Sequence, residues 1–200
     1  MHRGGGGRDR GQRARLPVAV SPVRHVSEEP AAPLLAEAFP ESRAAGEALR
    51  AAGLSAAVAE SCTGGLLGAA LTSVPGSSEY VRGGVIAYDN AVKVAQLGVD
   101  PATLETCGAV SAEVAEQMAA GARTRLGAAL GVGITGVAGP GAAEGGKPAG
   151  LVFVAVAGAN GTRVERIDGD RGREENRANA VRVALRLIHD AARSGPGAGG

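Results

Sequence analysis

Aromatic side chains are almost missing from this 200-residue chain: it has no tryptophan, and Phe39, Tyr80, Tyr88 and Phe153 are the whole complement. Stacking of single-stranded nucleic acid needs aromatic platforms, so that kind of binding is excluded and Val, Leu, Ile and Ala must fill the interior. With 44% hydrophobic residues the chain can still bury a sizeable core, and its length suits one domain with a tail. Cysteine is as scarce. Cys62 and Cys107 stand alone, which gives neither a disulfide framework nor a metal cluster and suits a reducing compartment. Nowhere do eighteen uncharged apolar residues run together, and no apolar stretch follows the arginine-rich start. Neither export nor membrane spanning is therefore expected, and a cytoplasmic location is. Histidine is also absent where a general base would be wanted. His2 and His25 fall in the first 33 residues and His189 falls late in the last helical segment.

Charge is nearly balanced overall, at +1, but unevenly spread. Residues 1–33 carry six Arg against Asp9, Glu28 and Glu29, which leaves a net −2 for residues 34–200; the body is no nucleic-acid binder by charge. Residues 1–33 are Gly, Arg and Pro with few large apolar side chains, and are expected to be a disordered tail. Residues 34–193 read as one domain and 194–200 as a flexible Gly/Pro tail.

Within that domain, residues 41–52 read as a helix stopped by Gly53, and a short apolar strand ends at Glu60 and Ser61. Thr63, Gly64 and Gly65 then open a helix over 66–71. Residues 81–88 (VRGGVIAY) read as a buried strand turned by Asp89 and Asn90, followed by a helix over 91–97 carrying Lys93. Ser111 caps a helix in which Val114, Met118, Ala122 and Leu126 recur at four-residue steps. Residues 128–135 form a second strand ending in a polar residue before glycine, Thr135-Gly136, and its loop continues through Gly139 to Lys147. A buried strand over 150–157, an edge strand over 162–167 and a last helix with Val181, Ala184 and Ile188 inside complete the pattern. Strands interleaved with helices predict a three-layer α/β/α sandwich with a mostly parallel sheet. No internal repeat is present.

Open α/β sheets bind ligands where strands hand over to helices at the carboxyl edge, and Ser61 stands at such a turn. The unpaired amides near Thr63, Gly64 and Gly65 are expected to face an anion or oxyanion. Lysine supplies the second clue. The chain uses nineteen Arg and only Lys93 and Lys147, so a retained lysine points to a task arginine cannot perform, above all losing its proton to act as a base. Ser61 is therefore paired with Lys93 for acyl transfer, with Tyr88 and Asn90 one turn away as hydrogen-bonding partners of Lys93 or substrate. The same residues also admit a plain reading, with Lys93 on the surface and Ser61 as a helix cap. Cys62 is the rival nucleophile, although a small buried thiol accounts for it equally. Lys147, in a Gly-rich loop, is expected at most to hold an anion, so that arginine would replace it. Arg171 or Arg177 is the candidate for pairing with a phosphate. The loops lack the G-x-x-x-x-G-K-[ST] order, and hydrolysis of nucleoside triphosphates is not expected.

Seven segments, AESCTGG (59–65), VPGSSEYVRGGVIAYDNAVK (74–93), LGV (97–99), GAVS (108–111), ITGVAGPG (134–141), KPAG (147–150) and GDR (169–171), run in order across the body. In these the chain resembles the CinA C-terminal domain family, the nicotinamide-nucleotide amidases (NMN deamidases), in its stand-alone form. The resemblance implies a three-layer α/β/α fold with a five-stranded mixed sheet. It also implies hydrolysis of nicotinamide mononucleotide (NMN) to nicotinate mononucleotide and ammonia, in pyridine-nucleotide recycling, with no metal or organic cofactor. Its Ser–Lys pair falls on Ser61 and Lys93, joined in catalysis by Tyr88. Substrate-binding positions fall on Thr63, Gly64, Gly65, Asn90, Thr135, Gly136, Gly139, Arg171 and Arg177. Two departures stand out: Ala142, Ala143 and Glu144 replace the family's Gly-Gly-Thr/Ser, and the arginine that follows GDR within four positions comes only at Arg177, as if two residues were inserted. A small-molecule substrate is the expected partner, with no nucleic acid or membrane, and a homo-oligomeric state is left open. A catalytically silent nucleotide-binding module and a Ser–Lys amidase for another small amide remain the alternatives.

Overall fold

Large and small apolar residues alternate along the strands, and this alternation sorts the helices onto the two faces of the sheet. A computed structural model describes residues 35–194; the expected tails lie outside the described residues, apart from Ser194. The strands are β1 (Ala56–Glu60), β2 (Val81–Ile86), β3 (Leu130–Gly136), β4 (Val152–Gly158) and β5 (Gly161–Ile167), in the spatial order β2-β1-β3-β4-β5. β1 is parallel to β2 and β3, whereas β4 is antiparallel to β3 and to β5. Four strands thus point one way and one against them, a mixed sheet of the expected kind.

The helices are α1 (Leu35–Ala38), α2 (Glu41–Ala51), α3 (Leu66–Thr72), α4 (Asn90–Leu97), α5 (Pro101–Cys107), α6 (Ala112–Arg125) and α7 (Arg173–Arg193). On one face Val58, Val132, Ile134, Val154 and Val156 pack with Leu49 of α2, Leu67 and Leu71 of α3, and Val181, Leu185 and Ile188 of α7. Leu185 and Ile188 are fully buried, each contributing about 1.5–3 kcal/mol of hydrophobic stabilisation. The other face presents Ala57 and Ala59 to Leu97, Val114, Met118 and Ala122, and Ala155 and Ala157 to Ala115 and Ala119. Gly131 and Gly133 complete this small-residue surface: a Cβ on either would collide with the Ala119 or Ala115 carbonyl of α6. Close packing of α6 on the sheet therefore depends on the glycines that interrupt β3.

The helix starts follow from local chemistry. Asp89, Asp100 and Ser111 accept hydrogen bonds from the Ala91, Ala102 and Val114 amides, and Pro101 opens α5. β2 departs from expectation. It ends at Ile86, lies at the sheet edge and alternates between half-buried and exposed positions, leaving Ile86 57% and Tyr88 63% exposed. An apolar run reads alike in a central and an edge strand, and only the strand order distinguishes them. No helix among the described residues is long and apolar enough to cross a membrane.

Candidate active site

Because β1, β2 and β3 are parallel, their carboxyl ends deliver Ser61, Tyr88 and Thr135 to the same edge of the sheet. There they border a cleft of about 280 Å³ also lined by Cys62, Asn90, Lys93, Ala109, Val110, Arg173 and the loop from Gly136 to Ala143. The structure thus brings together Ser61, Lys93, Tyr88, Asn90, Thr135, Gly136 and Gly139. Thr63, Gly64, Gly65, Arg171 and Arg177 do not line the cleft.

Lys93 is not a surface residue. Only 1% of it is exposed, and its Nζ donates to the Tyr88 carbonyl at 3.2 Å; the Tyr88 contribution to Lys93 is therefore its backbone oxygen rather than its ring. Burial pushes the Lys93 ammonium below its ordinary value, against the smaller opposing attraction of Asp89. Ser61, 8% exposed, is fixed through its backbone, its amide donating to Ile134 and its carbonyl accepting from Gly64. Its hydroxyl has no hydrogen bond among the described residues. Serine and lysine share the cleft without a bond between them, an arrangement that substrate has to close.

Glu60, the residue before the serine, occupies one of the amides expected to receive an oxyanion, that of Gly65, while the Gly64 amide donates to the Ser61 carbonyl and the Thr63 amide has no acceptor among the described residues. The buried Glu60 carboxylate accepts from Gly65 (3.1 Å), Leu67 (3.0 Å) and Gly68 (2.8 Å), and so caps α3 from within. Gly65 has no side chain with which to cap the helix itself. In the loop bordering the cleft, the amides of Ala138, Gly139, Gly141 and Ala142 also find no acceptor among the described residues.

Cys62 lines the same cleft, yet burial pushes its thiol from 9.0 up to about 12. Roughly one such thiol in 10⁵ is ionised at pH 7, so the thiolate that a cysteine nucleophile requires is nearly absent. Cys62→Ala is expected to keep most of any hydrolytic rate, within about threefold, measured beside the parent protein, since it removes only a packing contact.

Thr135 is 1% exposed and its hydroxyl donates to the Ala109 carbonyl at 2.6 Å, joining β3 to the opposite wall. Arg177 Nη2 donates to the Thr63 carbonyl at 3.0 Å and braces the Ser61 turn from behind. Arg171 is exposed and its amide donates to Asn176. The arginine at the cleft is Arg173, whose Nη1 donates to the Gly139 carbonyl at 2.7 Å. Sequence reasoning missed it by counting from GDR. Asn176, which is buried, donates to Ala138 and Asp170 and ties the start of α7 to the cleft loop. Lys147 is engaged with two backbone carbonyls rather than held out to an anion. Among the described residues no group of three or more His, Cys, Asp or Glu side chains is placed to hold a metal ion.

A three-layer α/β/α domain with a serine and a buried lysine in a cleft at the carboxyl ends of its parallel strands is the class that this fold and site define. The model of the CinA C-terminal domain family matches residues 40–192, and the chain belongs to that family. It is 56% identical over 135 residues to a CinA-like protein of Thermosynechococcus vestitus and 56% identical over 144 residues to one of Rippkaea orientalis, covering 66% and 70% of this chain. The matches take up only 32% and 34% of those relatives, so the chain corresponds to about a third of their length. Among solved structures, the competence/damage inducible protein CihA of Agrobacterium tumefaciens superposes with a TM-score of 0.74 at 40% identity, covering 84% of this chain and all of that one. A CinA superfamily protein of Klebsiella pneumoniae superposes at 0.75 with 32% identity, covering 78% and 97%.

Proposed function

We propose that this chain is an amidohydrolase that converts NMN to nicotinate mononucleotide and ammonia by a Ser–Lys mechanism, serving pyridine-nucleotide recycling in the cytoplasm. The observation that carries the reading is Lys93: a lysine 1% exposed, with no carboxylate bonded to it among the described residues, in the same cleft as a serine. Burying an ammonium without a counter-ion disfavours its charge, which is how a lysine becomes a base near neutral pH.

In this reaction Ser61 Oγ attacks the carboxamide carbon as its proton passes to Nζ of Lys93. The carbonyl oxygen, now negative, is received by unpaired loop amides between Ala138 and Ala142. Collapse of the tetrahedral intermediate breaks the C–N bond, and the Lys93 ammonium returns the proton to the departing ammonia. Water, deprotonated by Lys93, then attacks the Ser61 ester, and the Lys93 ammonium returns that proton to Ser61 Oγ as the C–O bond breaks, releasing the acid, which ionises to the carboxylate. The substrate phosphate supplies the charge that Arg173, anchored at the cleft by its Nη1 bond to the Gly139 carbonyl, matches. Tyr88 and Asn90, both exposed at the mouth of the cleft, border the ring and ribose.

The test is incubation of purified protein with NMN and measurement of ammonia and nicotinate mononucleotide, which should accumulate in equal amounts. Absence of both above a no-enzyme control would favour a nucleotide-binding module. Equal rates on nicotinamide and other amides lacking the ribose phosphate would favour a different small-amide hydrolase.

A pH dependence follows from Lys93. Only the neutral amine accepts the serine proton, so kcat/KM should rise with pH through an inflection below the 10.5 of ordinary lysine. The unfolded chain holds this proton more tightly than the folded one, so the same group makes folding more favourable as pH rises between the lowered value and 10.5. A rate that is flat with pH, or falls as pH rises through this range, would remove Lys93 as the base.

A further inference from the structure

Four successive backbone carbonyls, Cys107, Gly108, Ala109 and Val110, accept hydrogen bonds from side chains: Lys147, Ser111, Thr135 and Lys147 again. This segment leaves α5 at Cys107, turns at Gly108 with φ 72° and enters α6. Ala109 and Val110 within it form one wall of the cleft. The opposite wall, the loop through Gly139 to Ala143, runs on to Lys147, whose own carbonyl accepts from the Ala143 amide at 2.9 Å. Lys147 Nζ reaches back across this gap and donates to both Cys107 and Val110 at 2.6 Å. No carboxylate pairs with it among the described residues.

We infer that Lys147 is a positioning residue that fixes the separation of the two cleft walls. Its role for substrate rests on the function proposed above; its role in holding the two segments does not. An ammonium suits this task. It is a compact charge whose donors diverge tetrahedrally, so two converging carbonyls can be met at once, and the negative end of α5 at Cys107 favours it. A guanidinium presents a planar fork, and the space is already limited, because a Cβ on Gly108 would lie 3.0 Å from Nζ. Both lysines in a chain with nineteen arginines thus meet a need that arginine cannot, Lys93 by losing a proton and Lys147 by fitting between two carbonyls. The sequence-based expectation that arginine would replace Lys147 is revised accordingly.

The experiment compares the parent chain with Lys147→Met and Lys147→Arg by hydrogen–deuterium exchange and by steady-state kinetics with NMN. In Lys147→Met the hydrogen-bonded amides of the two segments, Gly108 on one side and Ala143 and Gly146 on the other, should exchange at least about tenfold faster, with the sheet amides unchanged, because the constraint on both segments is lost locally. KM for NMN should rise about tenfold or more while kcat changes less than about threefold, since the walls hold substrate and Lys147 touches no reacting atom. Lys147→Arg should not restore either measurement. Unchanged exchange in Lys147→Met would overturn the inference whatever the kinetics. Faster exchange with an unchanged KM would overturn the positioning role and leave a purely structural one. Faster exchange in a protein whose parent form does not turn over NMN would refute the proposed function and leave the contact between the walls standing.

Discussion

Lys93→Arg should be nearly as inactive on NMN as Lys93→Ala, with kcat down about a hundredfold or more in both. Arginine keeps the charge and the donors but cannot give up its proton, so the charge alone is not what Ser61 needs. The structure makes the contrast sharper, because Lys93 is buried and bonded only to the Tyr88 carbonyl among the described residues. Lys93→Met supplies the control for folding. It replaces an ammonium whose burial is unfavourable by an apolar chain of similar length, so the melting temperature should hold or rise while turnover is lost. Ser61→Ala should be equally inactive and fully folded. Near-normal turnover in Lys93→Arg, or loss of activity confined to Cys62→Ala, would show that the Ser–Lys assignment is wrong even if NMN is the substrate.

The largest effect on stability is expected at Glu60. Glu60→Ala strips three amides at the start of α3 of their acceptor in a site 1% exposed. Leaving buried donors unpaired and opening a small void should cost about 3–4 kcal/mol, a fall of about 10 °C in a domain of this size. Glu60→Gln isolates the cause. It keeps the shape but turns an NH₂ group toward an amide that needs an oxygen, so it should lie between the parent and Glu60→Ala in thermal melting. Activity should fall in both variants, because the turn that begins at Glu60 carries Ser61. If Glu60→Gln melts within a degree of the parent, the three hydrogen bonds are not what holds the turn.

The strand-to-helix handover at Ser61 was legible because a short apolar run, a polar pair and two glycines have few other solutions, and the same logic found Thr135-Gly136. The helix cap at Ser111 was readable for a similar reason: a cap is made by residues two or three apart. Arg173 was not, because which arginine of a closely spaced set reaches a cleft depends on where α7 begins and how it is turned. Glu60 read as the end of a strand, and nothing within the motif says that its carboxylate folds forward onto the helix that follows.

By itself the sequence determined the α/β/α class, the strands and the helices other than α1 and α5, the aliphatic core and the two residue types, serine and lysine, whose chemistry stands out. Each is a matter of periodicity, composition or near neighbours. The tertiary structure alone decided that β2 is an edge, that Lys93 is buried, that Lys147 joins two loops and that Arg173 rather than Arg171 faces the cleft. Lys147 meets a carbonyl 40 residues away and Arg177 meets Thr63 across 114. Contacts at such separations are fixed by how strands order and helices pack, and only the folded chain brings those groups within bonding distance.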